Sequence, residues 1–291
     1  MPGKQVTELD ALPSFTDTSL LPVHNGAGLK KGLLSQLASY LGTKFSNPNL
    51  LINPDFKINQ RGSSTYTTTS ESPIYTVDRW MLSRGKATVN SDDTVTVTAT
   101  GGTTNKEGYF QQKLENAISG AYTVSMEVVS ISGTVRIAID GEWKTVTSGK
   151  NVFQGVNSSN NFNSVDLQLA VGASITLKYM KLEQGKVATT FVAPNPADEL
   201  IKCQRFYFKR YYYYAFYSGT ANFTYIFSDT IPGMRIKPTV NFANTSNTGL
   251  TRVVVQLDTT AKDLTLLIQA VTSKVGNCNV GGTIALDAEI Y

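Results

Sequence analysis

Trp143 is the residue whose type and setting best suit ligand binding. Sugars bind proteins where the apolar face of a pyranose stacks on an aromatic ring and neighbouring polar groups hydrogen-bond the hydroxyls. In the segment DGEWKT, Asp140 and Glu142 precede Trp143 just after a predicted turn. These three are therefore candidate ligand-binding residues. The alternative is that Trp143 is a single exposed apolar side chain without a function, because such residues are common.

The other tryptophan, Trp80, has two interpretations. It follows Asp78 and Arg79 in YTVDRW, so these three residues are candidates for a second saccharide contact. The favoured alternative is structural, because the alternation around Val77 predicts a strand whose tryptophan packs inside. Asp78 would then form an ion pair with Arg61 or Arg79, since a buried charge needs a partner.

The residue inventory argues against catalysis and against a metal site. The single histidine, His24, and two cysteines are too few for a Cys/His zinc site, and His24 lies in a proline-flanked loop. The carboxylate pairs Asp92–Asp93 and Asp140–Glu142 lie at predicted turns, where adjacent acids are usually solvated. At Asp92 and Asp93, calcium binding is slightly favoured over a catalytic role, because turns rich in Asp and Asn supply oxygen ligands. We expect no catalytic residue, no metal and no cofactor.

The composition describes a folded chain with an uncharged polar surface. Only 16% of the 291 residues are charged, against roughly 25% in ordinary proteins, which points to extracellular or virion proteins. The net charge of +4 gives no reason to expect nucleic acid. Cys203 and Cys278 are predicted to be buried free thiols. Because MPGKQVTELD lacks signal-peptide features and no apolar run is long enough to span a bilayer, we expect cytosolic synthesis and no membrane insertion.

The first 46 residues form a predicted unit of their own, a small β-turn-helix segment. Val6–Leu9 and Leu20–Val23 are strand candidates, and KKGLLSQLASYLGTKF has helical periodicity. One apolar stripe of that helix is expected to dock on copies of itself, on a partner or on the chain's next domain. Its candidate anchoring residues are Leu33, Leu34, Leu37 and Leu41.

The remaining chain is predicted to be mainly β, with two antiparallel β-sandwich (jelly-roll-like) domains at residues 47–193 and 194–291. The first contains alternating segments such as TVTVTAT, AYTVSMEVVS, GTVRIAID, SVDLQLAV and SITLKYMKLEQ, separated by Gly and Ser turns. Val192–Leu200, with two prolines, is interpreted as a linker. The second domain contains six further strand segments, beginning with CQRFYFKRYYYYAFYS.

This first strand of the C-terminal domain carries aromatic residues on both pleat faces. Such a strand lies between two apolar surfaces, and in a domain of this size the second surface is often another subunit. The alternative, a nucleic-acid surface in KRYYYY, is disfavoured because the bases are few and the rings lie on both faces. The candidate oligomer-interface residues are Tyr211, Tyr212, Tyr213, Tyr214, Phe216 and Tyr217.

Several segments, in this order, resemble bacteriophage tail fibres and receptor-binding proteins. NLLINPDFKINQRG, YTVDRW and ITLKYMKLEQGKVATTF resemble the carbohydrate-binding-module-like jelly roll of that family. PADELIKCQRFYF, FSDTIPGMRIKPTVNF and GTIALDAEIY are similar to the C-terminal domain that often follows it. The N-terminal segment VTELDALPSFTDTSLLPVHNGAGLKKGLLSQLASYL is similar to the virion-proximal anchors of the same proteins.

The resemblance implies a non-enzymatic virion protein made in the cytoplasm of a host bacterium. In this interpretation the protein is a homotrimer, a short tail fibre or fibre-like appendage, whose N-terminus docks to other tail proteins and whose β domains bind a host-surface glycan. No long fibrous shaft is present, so a purely architectural adaptor, collar or decoration protein is the alternative. A polysaccharide depolymerase is the weakest of the three.

Overall fold

The computed structural model describes residues 20–24, 29–33, 37, 46–258 and 265–290. Its first element is an antiparallel hairpin of β1 (Leu20–His24) and β2 (Leu29–Leu33). The strand prediction at Leu20–Val23 is confirmed. Leu33 was expected on the helix, and this is wrong, because Leu33 pairs with Leu20 in the hairpin. Leu37 is helical and 42% exposed, whereas Leu34, Leu41 and the strand candidate at Val6–Leu9 lie outside the described residues.

Ten strands form the first β-sandwich, as the alternating segments predict. Two of them, β8 (Gly108–Ser132) and β11 (Gly149–Leu169), are long enough to run through both layers. Their pairing shifts register near residues 157–164, which divides each strand into two halves. The other strands are β3 (Thr65–Thr68), β4 (Ile74–Tyr75), β5 (Met81–Ser83), β6 (Gly85–Val89), β7 (Val95–Ala99), β9 (Val135–Ile139), β10 (Glu142–Thr145) and β12 (Ser174–Gln184).

The two layers share one core. Sheet A consists, in order, of β10, β9, the second half of β11, the first half of β8, β5 and β4. Sheet B consists, in order, of the first half of β11, the second half of β8, β12, β7, β6 and β3. Alternate side chains face inward, because successive residues of a strand point to opposite faces. In β7, Val95 and Val97 are buried, whereas Thr96 and Thr98 face outward. The Thr96 hydroxyl lies 2.9 Å from that of Thr176 on β12.

A helix follows the first sandwich where a linker and the start of a strand were predicted. The helix α1 spans Pro196–Gln204, so the linker prediction for Val192–Leu200 is wrong over its second half. The Asn195 side chain accepts a hydrogen bond from the Ala197 amide at 2.9 Å, and the proline begins the first turn, where its missing N–H costs nothing. Asp198 and Glu199 in the first turn complement the helix dipole.

The second β-sandwich contains the six predicted strands in two three-stranded sheets. Sheet C has the order β13-β18-β15 and sheet D the order β14-β17-β16. Buried aliphatic side chains such as Leu266, Ile268 and Ile284 fill the space between them. The bounds are β13 (Tyr207–Ser218), β14 (Thr224–Thr230), β15 (Thr239–Thr248), β16 (Leu250–Asp258), β17 (Thr265–Thr272) and β18 (Gly276–Asp287).

A buried charged cluster joins the two sandwiches. The Arg79 guanidinium of the first sandwich pairs with the Glu289 carboxylate at the end of the second, and both side chains are almost fully buried. Arg61 reaches the same carboxylate at 3.3 Å, and the Gln60 side-chain amide donates to the Tyr207 carbonyl at 2.6 Å. These contacts fix the second sandwich against the first.

Candidate functional site

Trp143 lies on an edge strand at the surface of sheet A. The β9–β10 hairpin turns through Asp140 and Gly141, whose positive φ angles of 54° and 80° are those of the two-residue turns that suit tight hairpins. This turn places Trp143 opposite Ala138, with its side chain 40% exposed. The hairpin therefore presents the indole ring on the outer face of the sandwich.

The neighbour of the indole ring is Tyr109, which was not among the predicted site residues. The ring centroids of Trp143 and Tyr109 are 6.3 Å apart, although two strands lie between them. Ala138, opposite Trp143, is small and leaves room for the two rings to approach each other. The Gln168 side-chain amide donates a hydrogen bond to the Tyr109 hydroxyl at 3.0 Å, which fixes both groups. The Arg84 guanidinium lies 5.4 Å above the Tyr109 ring.

Polar side chains extend this aromatic pair along the sheet. Gln168 pairs with Tyr109 in the strand register and Asp166 pairs with Gln111, so all four share the outer face. The Ser164 hydroxyl donates to the Asp166 carboxylate at 2.6 Å, and burial raises the pKa of Asp166. We call the surface formed by these residues the indole face; its members are Trp143, Tyr109, Gln168, Gln111 and Asp166.

The two acids predicted beside Trp143 are not part of the indole face. The Asp140 carboxylate accepts hydrogen bonds from the Tyr122 hydroxyl and the Val156 amide, both at 2.8 Å. Glu142 precedes Trp143 in β10, so alternation points it to the other side, where it pairs with Lys144. That hydrogen bond lowers the pKa of Glu142. Proximity in sequence therefore identified Trp143 but not its neighbours.

Trp80, Asp78 and Arg79 are buried, and the structural interpretation holds for all three. The Trp80 indole stacks on Phe110 with 5.0 Å between the ring centroids and an interplanar angle of 10°. Asp78 lies 3.8 Å from Arg61, whereas Arg79 pairs with Glu289. Burial raises the pKa of Asp78 to about 6. A ligand cannot reach any of these three side chains in this structure because they are at most 1% exposed.

The aromatic strand β13 divides its rings between the core and the surface. Tyr212, Tyr214 and Phe216 point inward, and Tyr212 is 6% exposed. The surface group, which we call the tyrosine face, consists of Tyr211, Tyr213 and Tyr217, each more than half exposed. A side chain at Gly281 would lie 2.8 Å from the Tyr213 ring, so this glycine lets the rings lie close to sheet C.

Cys203 and Cys278 are buried free thiols, as predicted. Within the described ranges there is no group of three or more His, Cys, Asp or Glu side chains that fits a metal ion, and this search included Asp92 and Asp93. No helix in the part of the chain that the structure describes is long and apolar enough to cross a membrane.

Comparison with known proteins yields distant similarity to solved structures. No protein-family model matches the chain, and no curated protein matches it in sequence. Two variants of the family 29 carbohydrate-binding module CBM29-2 are each 16% identical to this chain. One variant matches 39% of this chain and 86% of its own length with a TM-score of 0.28. The other variant matches 38% of this chain and 84% of its own length with a TM-score of 0.25. The structure of Sulfolobus Turreted Icosahedral Virus is 11% identical over 68% of this chain and 59% of the viral chain, with a TM-score of 0.19. Similarity this low leaves the function to be argued from the site.

Proposed function

We propose that this protein is a non-enzymatic glycan-binding protein of a virion and that it binds saccharide through the indole face. The observation that carries the proposal is the pairing of Trp143 with Tyr109 on an outward sheet surface, beside a hydrogen-bonded Gln168 amide. The exposed ring would stack on the apolar face of a pyranose. The Gln168 and Gln111 amides and the Asp166 carboxylate supply donors and acceptors for the hydroxyls.

The carboxylates near the indole face support binding without hydrolysis. A glycosidase needs one carboxylic acid with a raised pKa and a second carboxylate facing it across the scissile bond. Glu142 has a lowered pKa because Lys144 donates to it, and Asp140 is occupied by Tyr122 and an amide. Neither is arranged as a general acid. Asp166 has a raised pKa, but it is the one carboxylate of the indole face, so that face lacks the second carboxylate that hydrolysis needs. The protein is therefore expected to bind a saccharide and leave it intact.

The assembly is the second part of the proposal. The sequence resemblance to phage tail fibres supports a homotrimer whose residues 1–46 attach to tail proteins, and the exposed Tyr211, Tyr213 and Tyr217 supply an apolar surface for a second copy. Three weak sites held in one trimer bind a cell surface far more tightly than one site, because each later contact forms at high effective concentration. The buried junction at Glu289 would keep those sites in a fixed geometry.

Glycan-array binding tests the ligand. The full-length protein is expected to bind at least one class of bacterial surface glycan, and Trp143→Ala should weaken binding about tenfold or more, which corresponds to about 1.4 kcal/mol. Glu142→Gln is the matched control, because Glu142 is adjacent in sequence but faces away. Equal binding by the Trp143→Ala protein and the parent would refute the indole face as the site. No binding to any glycan would favour the architectural alternative.

Light scattering and particle incorporation test the assembly. The full-length protein should have the mass of a trimer in solution, and a protein lacking residues 1–45 should keep its folded β domains but no longer join particles. A monomeric mass for both proteins would contradict the trimer. Incorporation of the shortened protein into virions would contradict the anchoring role.

A further inference from the structure

A concave site lies on sheet B, on the opposite side of the sandwich from the indole face. It is a groove of about 380 Å³ bounded by the chain segment after β12, the β6–β7 turn and the loop before β3. We call it the strap groove; its lining includes Asp55, Lys57, Asp93, Glu127, Tyr179 and Phe191. Its volume is within the range of small-molecule sites, roughly 300–1,000 Å³.

The groove has an apolar wall made of two stacked rings. The Tyr179 and Phe191 ring centroids are 4.0 Å apart with an interplanar angle of 4°. Tyr179 lies beside a register shift of β12, where the Met180 amide donates to the Pro54 carbonyl at 2.8 Å. This bond ties the loop that carries Asp55 and Lys57 to the strand that carries Tyr179.

The segment that carries Phe191 is held rigidly, so the groove exists before a ligand binds. Lys181 and Glu183 are buried beneath it on the outer face of sheet B and lie 3.2 Å apart. The Thr189 amide donates to the Glu183 carboxylate at 2.9 Å, and the Lys181 ammonium donates to the Thr189 hydroxyl at 2.5 Å. A preformed site avoids the entropic cost of ordering a loop on binding.

One carboxylate in the groove is buried without a hydrogen-bonding side chain. The Asp55 side chain is 10% exposed, and the Lys57 ammonium is 3.8 Å away, too far for a good hydrogen bond. The same ammonium is 3.8 Å from Asp93. Among the described residues no other side chain hydrogen-bonds this carboxylate, and its burial raises the pKa of Asp55. The one hydrogen bond that it accepts comes from the Asp55 backbone amide, so the carboxylate keeps acceptor positions for a ligand hydroxyl.

The remaining charges of the groove are of mixed sign and are close together. Glu127 lies between Lys150 and Tyr179 in the strand register, and Lys178 also lines the groove. The structure records no ion pair for Glu127, Lys150 or Lys178 within the described ranges. A strongly charged ligand of either sign would meet like charges, whereas a neutral polyhydroxylated ligand can use both donors and acceptors.

We propose that the strap groove binds a neutral saccharide of one or two pyranose units, independently of the indole face. The Tyr179–Phe191 wall contacts the apolar ring face, the Asp55 carboxylate accepts hydroxyl hydrogens, and the lysine ammonium groups donate to hydroxyl oxygens. The inference extends the proposed saccharide binding to a second site. Because sheets A and B face opposite sides, one sandwich would then hold two saccharide chains at once.

Calorimetric titration of the full-length protein tests the groove. The probes are maltohexaose, cellohexaose, mannohexaose and xylohexaose, with a hexamer of galacturonic acid as the charged comparison. Tyr179→Ala should weaken binding at the groove about tenfold. Asp55→Asn should also weaken binding at the groove, and it keeps the shape of the side chain. This second variant keeps the test valid if Tyr179→Ala fails to fold. Val156→Ala, an exposed residue on the same face of sheet B, is the matched control.

The Trp143→Ala protein separates this inference from the proposed function. Two binding sites per chain in the parent, of which one remains in Trp143→Ala and is weakened when Tyr179→Ala is added to that protein, support the groove. If Trp143→Ala removes all binding, or if both groove variants bind like the parent, the groove is refuted and the indole face stands. If only the groove variants lose binding, the indole face is refuted instead. Failure of every neutral probe to bind, or tighter binding of the galacturonic acid hexamer, overturns the proposal for the groove.

Discussion

Removing the carboxylate of Glu289 should destabilise both sandwiches at once. This carboxylate is fully buried and accepts from Arg79, whose side chain is 1% exposed, and from Arg61 at 3.3 Å. In Glu289→Ala the Arg79 guanidinium remains in the interior without a counter-charge. Taking one partner from a buried ion pair costs about 3–5 kcal/mol, because the other charge stays desolvated.

The remaining contacts of Arg79 place the expected loss in the lower part of that range. Its guanidinium still donates to the Lys113 carbonyl at 2.6 Å and lies 3.7 Å over the Phe206 ring. Arg61 is closer to solvent and retains Asp78 at 3.8 Å. We therefore expect the free energy of unfolding to fall by about 3 kcal/mol in Glu289→Ala. Glu289→Gln should lose less, because the amide keeps the shape and one hydrogen-bond acceptor.

Urea unfolding at neutral pH measures this effect. Tryptophan fluorescence follows the first sandwich, which contains both Trp80 and Trp143, and circular dichroism follows both sandwiches. Arg79→Met combined with Glu289→Met should be more stable than the sum of the two single losses predicts, because the double variant buries no unpaired charge. A loss below about 1 kcal/mol in Glu289→Ala, or strictly additive losses in the double variant, would refute the role of this junction.

Two further predictions concern Asp78 and β13. Burial raises the pKa of Asp78 from 3.8 to about 6, so the native state binds this proton more tightly than the unfolded chain. The contribution of Asp78 to the free energy of unfolding should therefore fall by at most about 3 kcal/mol as pH rises from about 4 to 6. Urea unfolding of Asp78→Asn should lack this fall with pH. The same pH dependence in Asp78→Asn and in the parent would contradict the prediction. Tyr212→Asp should unfold the C-terminal sandwich because Tyr212 is buried. Tyr213→Asp, at an exposed position, should keep a native circular-dichroism spectrum but dissociate the trimer in light scattering, and a soluble trimer of this variant would count against the interface.

Local alternation was enough to predict most of the strands. In TVTVTAT the valines are buried and the threonines face outward, as period two requires. The helix at Pro196–Gln204 was missed although Asn195, Pro196 and two acids form a readable N-terminal cap. The segment was interpreted as a linker because it contains two prolines, and proline is common in linkers as well as in the first turn of a helix.

The candidate sites show the limit of local information. Trp143 was identified because an aromatic residue beside a turn is visible in sequence, but its neighbour Tyr109 lies in β8, 34 residues earlier in the chain. Glu142 is adjacent to Trp143 yet binds another group, since successive strand residues point to opposite faces. Asp140 lies in the hairpin turn, where its carboxylate accepts from the Tyr122 hydroxyl and the Val156 amide. The pairing of Arg79 was left open between alternatives, and its actual partner Glu289 lies at the far end of the chain.

The sequence by itself determined the mainly β architecture, the two sandwiches and the presence of aromatic rings on both faces of β13, because each depends on the alternation of neighbouring residues. Only the tertiary structure decided which side chains meet. Strand register and the folding of residues 185–193 over sheet B set those contacts, and both result from packing among segments far apart in the chain. The indole face and the strap groove were therefore recognisable only after the chain had folded.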